Sequence, residues 1–219
     1  MNCVVCSISK KHMHDTTLYR SIKNLNIDYD IESNNTTKGI GKFLNEKIKE
    51  YGTKKDALIF MHDDVELIST DIEHQLAQAF KKFDMVGVAG CLNPKILDKN
   101  LWHWMAQTKE NLRGMAGHPC GEQDSFYVTS FGPTPSRVVI IDGVFMAFKL
   151  DKILQTHTTF DEQFKFHHYD IDFSLTCNKN NLKIGVWPIL INHQSPGLKE
   201  FDDNFNSSNE KFLNKWKNQ

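Results

Sequence analysis

The chain has 219 residues, 40% hydrophobic and 24% charged, and its 26 basic and 27 acidic side chains leave a formal net charge of -1. This composition fits a globular chain long enough for one sizeable core; it argues against a largely disordered state and denies the molecule the basic field of a general nucleic-acid binder. No apolar run approaches the ~18 residues of a membrane span, and the Met-Asn-Cys-Val-Val-Cys start lacks a basic-then-apolar export pattern, so a cytoplasmic chain with reduced cysteines is expected.

Residues 2–8 (NCVVCSI) read as a short buried strand. Asp15 can cap a helix that keeps Leu18, Ile22 and Leu25 on one face. Residues 28–32 (DYDIE) read as a second strand, and 40–51 place Ile40, Phe43, Leu44, Ile48 and Tyr51 at helical spacing. The run ALIFM at 57–61 is fully apolar, which predicts a central strand. A helix over about 70–82 and a strand over 84–89 follow. This alternation predicts an α/β fold: a mostly parallel central sheet with helices on both faces. Ligands of such sheets bind beyond the carboxyl ends of the strands.

The second half is less regular. Residues 91–136, with Trp102, Trp104 and scattered Gly and Pro, read as long loops or small excursions on the sheet. Two strand-like runs in 138–149 are broken by Asp142-Gly143, a polar helix is expected over 168–180, and 183–191 reads as a strand with a Pro break. The tail from Ser207 to Gln219 has the pattern of an amphipathic helix with Phe212, Leu213 and Trp216 inward. No internal repeat or linker divides the chain, so 1–219 reads as a single domain.

Three constellations can carry chemistry. His62-Asp63-Asp64 directly follows the central strand; adjacent carboxylates there either hold a hard divalent cation or simply end the strand and cap the next helix. Asp170 and Asp172 lie at the start of the 168–180 helix, where a carboxylate is either a general base or an N-cap. His193 follows a further apolar run and so falls at a sheet edge. The neighbouring pair His167-His168 has the wrong spacing for a shared zinc. Cys3 and Cys6, three apart on a strand, point to opposite faces, which disfavours a metal or redox pair. No glycine-rich dinucleotide loop, Walker loop or Gly-x-Ser-x-Gly elbow occurs.

Four segments, in order, resemble one family. They are the helix 38–51 with Gly39, Lys42 and Asn45; LIFMHDDVEL; IDGVFMAFK; and FDEQFKFHHYDIDFSL. Across roughly residues 2–195 the chain resembles the nucleotide-sugar glycosyltransferases of the GT-A (Rossmann-like) fold, family 2-like, in the subgroup named after a streptomycin-biosynthesis protein. Two departures stand out: the metal motif reads His-Asp-Asp instead of Asp-x-Asp, and Tyr169 occupies a position where the family usually has Glu.

The resemblance implies a metal-dependent transfer of a sugar from a UDP-, GDP- or dTDP-linked donor to a hydroxyl of a glycan, lipid-linked or protein-linked acceptor, with inversion. It implies a nucleotide-binding half over about 1–90 and an acceptor-binding, catalytic half over about 91–219. Asp170 takes the base position with Asp172 supporting it. Asp64 and His193 are the implied metal ligands, for Mn²⁺ or else Mg²⁺; mixed carboxylate and imidazole ligands favour Mn²⁺. Ser7, Ser9, Lys42, Asn45, His62, Asp63 and Gly143 are implied around the nucleotide sugar. Trp102 and Trp104 either stack on an acceptor sugar or belong to the core. A sugar nucleotidyltransferase and a catalytically inactive nucleotide-sugar-binding module are the competing readings. The first wants a glycine-rich basic loop, and residues 7–14 (SISKKHMH) contain no glycine.

Overall fold

The computed structural model describes residues 1–121, 125–195, 197 and 200–217. Elements run β1 (Cys3–Ile8), α1 (Thr17–Ile22), β2 (Asp28–Glu32), α2 (Ile40–Tyr51), β3 (Ala57–Met61), β4 (Val65–Leu67), α3 (Ile72–Ala79), β5 (Met85–Gly87) and β6 (Ala89–Cys91). The second half continues with α4 (Trp102–Met105), β7 (Leu112–Pro119), β8 (Phe126–Gly132), β9 (Ser136–Arg137), β10 (Ile140–Ile141) and β11 (Phe145–Lys149). It closes with α5 (Leu150–Gln155), α6 (Tyr169–Lys179), β12 (Ile184–Val186), β13 (Ile191–His193) and α7 (Asp203–Trp216).

The central sheet has the order β2-β1-β3-β11-β5-β12-β9. β2, β1, β3, β5 and β12 point the same way, while β11 and β9 run against them. Both faces are covered, as the apolar runs predict. On β1 and β3, Val4, Cys6, Leu58 and Phe60 face a core built with α2 and α6, whereas Cys3, Val5, Ile59 and Met61 face one built with α1 and α3. Cys3 and Cys6 thus lie on opposite faces. This is a mixed α/β architecture of the GT-A, Rossmann-like kind.

A second sheet, β10-β6-β7-β13-β4 with β8 on β7, stands beyond the carboxyl edge of the first. It accounts for most departures from the sequence reading. The predicted strand 84–89 divides at Val88, with β5 in the central sheet and β6 in the second. Where the chain changes sheets, the Val88 carbonyl accepts from the amide of Met115 at 2.8 Å. Gly114 crosses this point with φ +99°, and a Cβ there would lie 2.0 Å from the Val88 oxygen, so the position tolerates only glycine. The 91–136 region is therefore not mainly loop: β7 and β8 form an antiparallel pair. The 183–191 run likewise splits around Pro188 into β12 and β13, in different sheets. Helix α1 is capped by Thr16, whose hydroxyl accepts from the Tyr19 amide, while Asp15 sits in the preceding turn. The tail helix starts at Asp203, earlier than its apolar pattern suggests, because Asp202 caps it; residues 218–219 lie outside the described residues.

Candidate functional site

The carboxyl edge of β3 gathers the acidic motif. Ser9, just past β1, hydrogen-bonds Asp63, and its hydroxyl also accepts from the Lys11 amide at 2.9 Å. β13 runs antiparallel to β4 with His193 opposite Val65, so the register brings His193 beside the residue before Val65. Nε2 of His193 lies 3.3 Å from Oδ1 of Asp64, across 129 positions of sequence. The contact is an ion pair without hydrogen-bond alignment: both atoms are buried and neither has a hydrogen-bond partner. Burial would push His193 down, but the Asp64 carboxylate outweighs it and raises its pKa. Burial likewise favours a neutral Asp64, yet the two imidazoles hold its pKa below the usual carboxylate value.

His62, Asp64 and His193 each offer one ligand atom, and these atoms all lie within 4.8 Å of one another. Three donors of this kind leave coordination positions open, and two of the three residues carry a buried polar atom without a hydrogen-bond partner. The residues therefore fit a divalent cation. His62 belongs to this group, a place the sequence reading gave only to Asp64 and His193.

Behind this cluster stands Tyr169, the first residue of α6. Its hydroxyl donates to the Gly143 carbonyl at 2.9 Å and lies 2.8 Å from Nε2 of His62. The Gly143 amide donates to Oδ2 of Asp170 at 2.9 Å. A Cβ on residue 143 would lie 2.2 Å from the Tyr169 hydroxyl and 2.8 Å from the Asp170 Cβ, so only glycine admits this approach. Burial, then the nearby Asp142 charge, pushes the Asp170 pKa up to about 7.

Other expected site residues are placed elsewhere. Asp172 is 1% exposed and turned to α7, where it accepts from Trp216 Nε1 at 2.7 Å and pairs with Lys215 at 2.8 Å. On a helix, residues two apart diverge, so Asp170 and Asp172 serve different faces. Ser7 is fully buried and its hydroxyl donates to the Met61 carbonyl at 2.7 Å, which ties β1 to β3. Asn45 clasps the backbone of Phe160, donating to its carbonyl and accepting from its amide, both at 2.9 Å. Lys42 is exposed on α2. Trp102 packs edge-on against Phe131 and partly into the core, while Trp104 is 44% exposed against Phe201. His168 is buried, bonds Ser208 through Nδ1 at 2.9 Å, and is pushed down to about 4 by burial and then His167.

Residues missed in the sequence also face this region. Asp142 is an electrostatic neighbour of His62, His103, His118, Tyr169, Asp170 and His193. Its position beside Gly143 was the available signal. Phe166 is 61% exposed with its ring 6.3 Å from that of His62 and nearly parallel to it. Nothing in the spacing of an isolated Phe announces that exposure.

A family model described as a glycosyltransferase-like family matches residues 3–216. Among solved structures, A197 from STIV is similar with a TM-score of 0.50 at 13% identity, over 86% of this chain and 82% of that one. Staphylococcus aureus TarS is similar with a TM-score of 0.51 at 11% identity, over 89% of this chain but 37% of that one. TarS 1–349 in complex with UDP gives 0.52 at 11% identity, over 89% and 61%. The chain thus spans less than two thirds of either TarS structure. These likenesses are of fold. No curated protein matches the chain.

Proposed function

Because the chain belongs to the glycosyltransferase-like family whose model spans residues 3–216, we propose that it transfers a sugar from a nucleotide diphosphate donor to an acceptor hydroxyl, with a divalent cation and with inversion. The observation that carries this reading is the convergence of His62, Asp64 and His193, with Asp64 Oδ1 and His193 Nε2 buried without a hydrogen-bond partner, and with the Asp170 carboxylate linked to His62 through Gly143 and Tyr169. The UDP complex of a fold neighbour supports uridine diphosphate as the first donor nucleotide to try. The chain acts as one unit, the donor held mainly by the first 90 or so residues and the acceptor by the rest.

His62, Asp64 and His193 would hold the cation, and their two imidazoles favour Mn²⁺ over Mg²⁺. When bound, such an ion offsets the charge that develops on the departing diphosphate. Asp63, which Ser9 holds, would meet the ribose or the sugar. The Gly143 amide fixes Oδ2 of Asp170, and this carboxylate would take the acceptor hydroxyl's proton as the glycosidic bond forms. Attack from the Asp170 side, opposite the diphosphate, inverts the anomeric carbon. Phe166 and Trp104, both exposed, offer apolar faces to an acceptor sugar. Asp172 supports the base indirectly, by fixing α6 to α7.

Calorimetric titration of the chain with UDP, with and without Mn²⁺, tests the reading. Binding that requires Mn²⁺ and is lost in Asp64→Ala supports it. UDP affinity that is indifferent to Mn²⁺ and to this substitution defeats it.

A further inference from the structure

At the opposite edge of the central sheet lies a cavity of about 360 Å³. Lys149 ends β11 in register with Ala57, the first residue of β3, whereas the candidate site begins after Met61, the last. Four residue steps of strand, about 13 Å, therefore separate the two regions. Lys81, Lys82, Lys149, Lys152 and Lys183 line this cavity, with Asp84 as its single carboxylate.

One explanation is that the lysines only neutralise helix ends. Helices α3, α5 and α6 all finish here, at Ala79, Gln155 and Lys179. Magnitudes decide against that as the whole account. Five ammonium groups against one carboxylate leave four positive charges, and three helix C-termini remove at most about half a charge each, so roughly +2.5 remains. This excess sits in a chain whose net charge is -1.

The surroundings also hold several of the lysines in place. Asp84 spends both oxygens within the protein, Oδ1 on Lys149 at 3.2 Å and Oδ2 on the Lys183 amide at 2.9 Å. The Lys149 ammonium lies 5.8 Å from the Phe80 ring centre, and that of Lys82 lies 5.9 Å from the Trp187 ring centre. Lys81, Lys82 and Lys183 are exposed around the opening. Lysines act as point charges that accept varied phosphate geometries, where arginines would impose a paired one.

We propose that this cavity binds an anion bearing two linked phosphate groups, held by the ammonium groups of Lys81, Lys82, Lys152 and Lys183, at a site separate from the donor site. Two linked phosphate groups carry about two to three negative charges near neutral pH, which matches the excess on the protein. The diphosphate can belong to a soluble molecule or to a lipid headgroup, and both present the same chemistry to the lysines.

The test is calorimetric titration of the full chain with inorganic pyrophosphate in EDTA, which removes cation-assisted binding at the other edge. The expected result is saturable binding that weakens with added salt, falls about tenfold in Lys81→Gln/Lys183→Gln, and is unchanged in His193→Ala. Both lysines are exposed, so the double variant folds, and unchanged Mn²⁺-dependent UDP binding in it confirms that. Absence of pyrophosphate binding, binding indifferent to the lysine pair, or binding lost in His193→Ala each overturns the proposal. Sedimentation with phosphatidylcholine vesicles, with and without diacylglycerol pyrophosphate, separates the sources. Capture by the diacylglycerol pyrophosphate vesicles that pyrophosphate displaces supports a lipid headgroup. Pyrophosphate binding without vesicle capture supports a soluble ligand.

Discussion

The phenol of Tyr169 gives its one proton to the Gly143 carbonyl and so turns a lone pair toward Nε2 of His62, 2.8 Å away. His62 must then donate from Nε2, which leaves Nδ1 as its bare nitrogen. A tyrosine thus sets the tautomer of one candidate ligand.

Tyr169→Phe should therefore weaken Mn²⁺ binding by about tenfold, as loss of a ligand-orienting hydrogen bond does. It should also cost about 1–3 kcal/mol of stability, since the Gly143 carbonyl and the His62 N–H lose a partner. Titration of the Mn²⁺ paramagnetic resonance signal reads the first effect and chemical denaturation the second. Mn²⁺ affinity equal to wild type would remove Tyr169 from the account of the site.

Asp170→Asn should reduce sugar transfer by roughly 10²–10⁴-fold with donor affinity kept, because the amide cannot take the hydroxyl's proton. If the carboxylate only capped α6, Asn would replace it almost equally well. Single-turnover rates with separately measured donor binding distinguish the two outcomes.

The same residue predicts a pH dependence of sign opposite to the usual carboxylate. Its pKa is 3.8 as an ordinary Asp and about 7 in the folded chain, so the folded state keeps a proton that the unfolded state releases. Stability is full below about pH 4 and falls as pH rises toward 7, where the penalty levels off. Asp170→Asn should then stabilise the metal-free chain by roughly 2–4 kcal/mol at pH 8 and by little at pH 4. Transfer by the wild type should rise with pH and level off above about 7, the range in which Asp170 is ionised.

Asp172 calls for a different experiment. Burial raises its pKa, and Lys215 and Trp216 pull in the other direction. Lys215→Met leaves a buried carboxylate short of its cation and should cost roughly 3–5 kcal/mol, while Asp172→Asn, which removes the charge itself, should cost less. Donor affinity should hold in both where the chain remains folded. A Lys215→Met chain as stable as wild type would show that α7 does not brace α6 through this pair.

The sequence revealed the central sheet because its strands are short, apolar and buried on both faces, as ALIFM at 57–61 shows. It singled out His62, Asp64, His193 and Asp170 because each lies directly after an apolar run or at a helix start, and the ligand atoms of the first three lie within 4.8 Å of one another. It failed at 91–136 because β7 and β8 contain glycine and half-exposed positions, so no period of two emerges. It could not show what holds Ser7 and Asn45, because their partners, Met61 and Phe160, are fixed by tertiary contact. The partners of Asp172 were hidden for the same reason, since Lys215 and Trp216 lie 43 and 44 positions away.

The placement of β11 has a consequence for how the chain comes to be folded. It lies between β3 and β5, paired antiparallel to both, although 83 positions separate Phe145 from His62. A nascent chain that has emerged only to residue 90 can assemble β2, β1 and β3, but β5 has no neighbour and the apolar edge of β3 stays open. Closure waits for residue 149, by which time β6, β7 and β8 have already been made. The first 90 residues, expressed alone, should therefore aggregate through that open edge, and the two halves should not be separable as folding units.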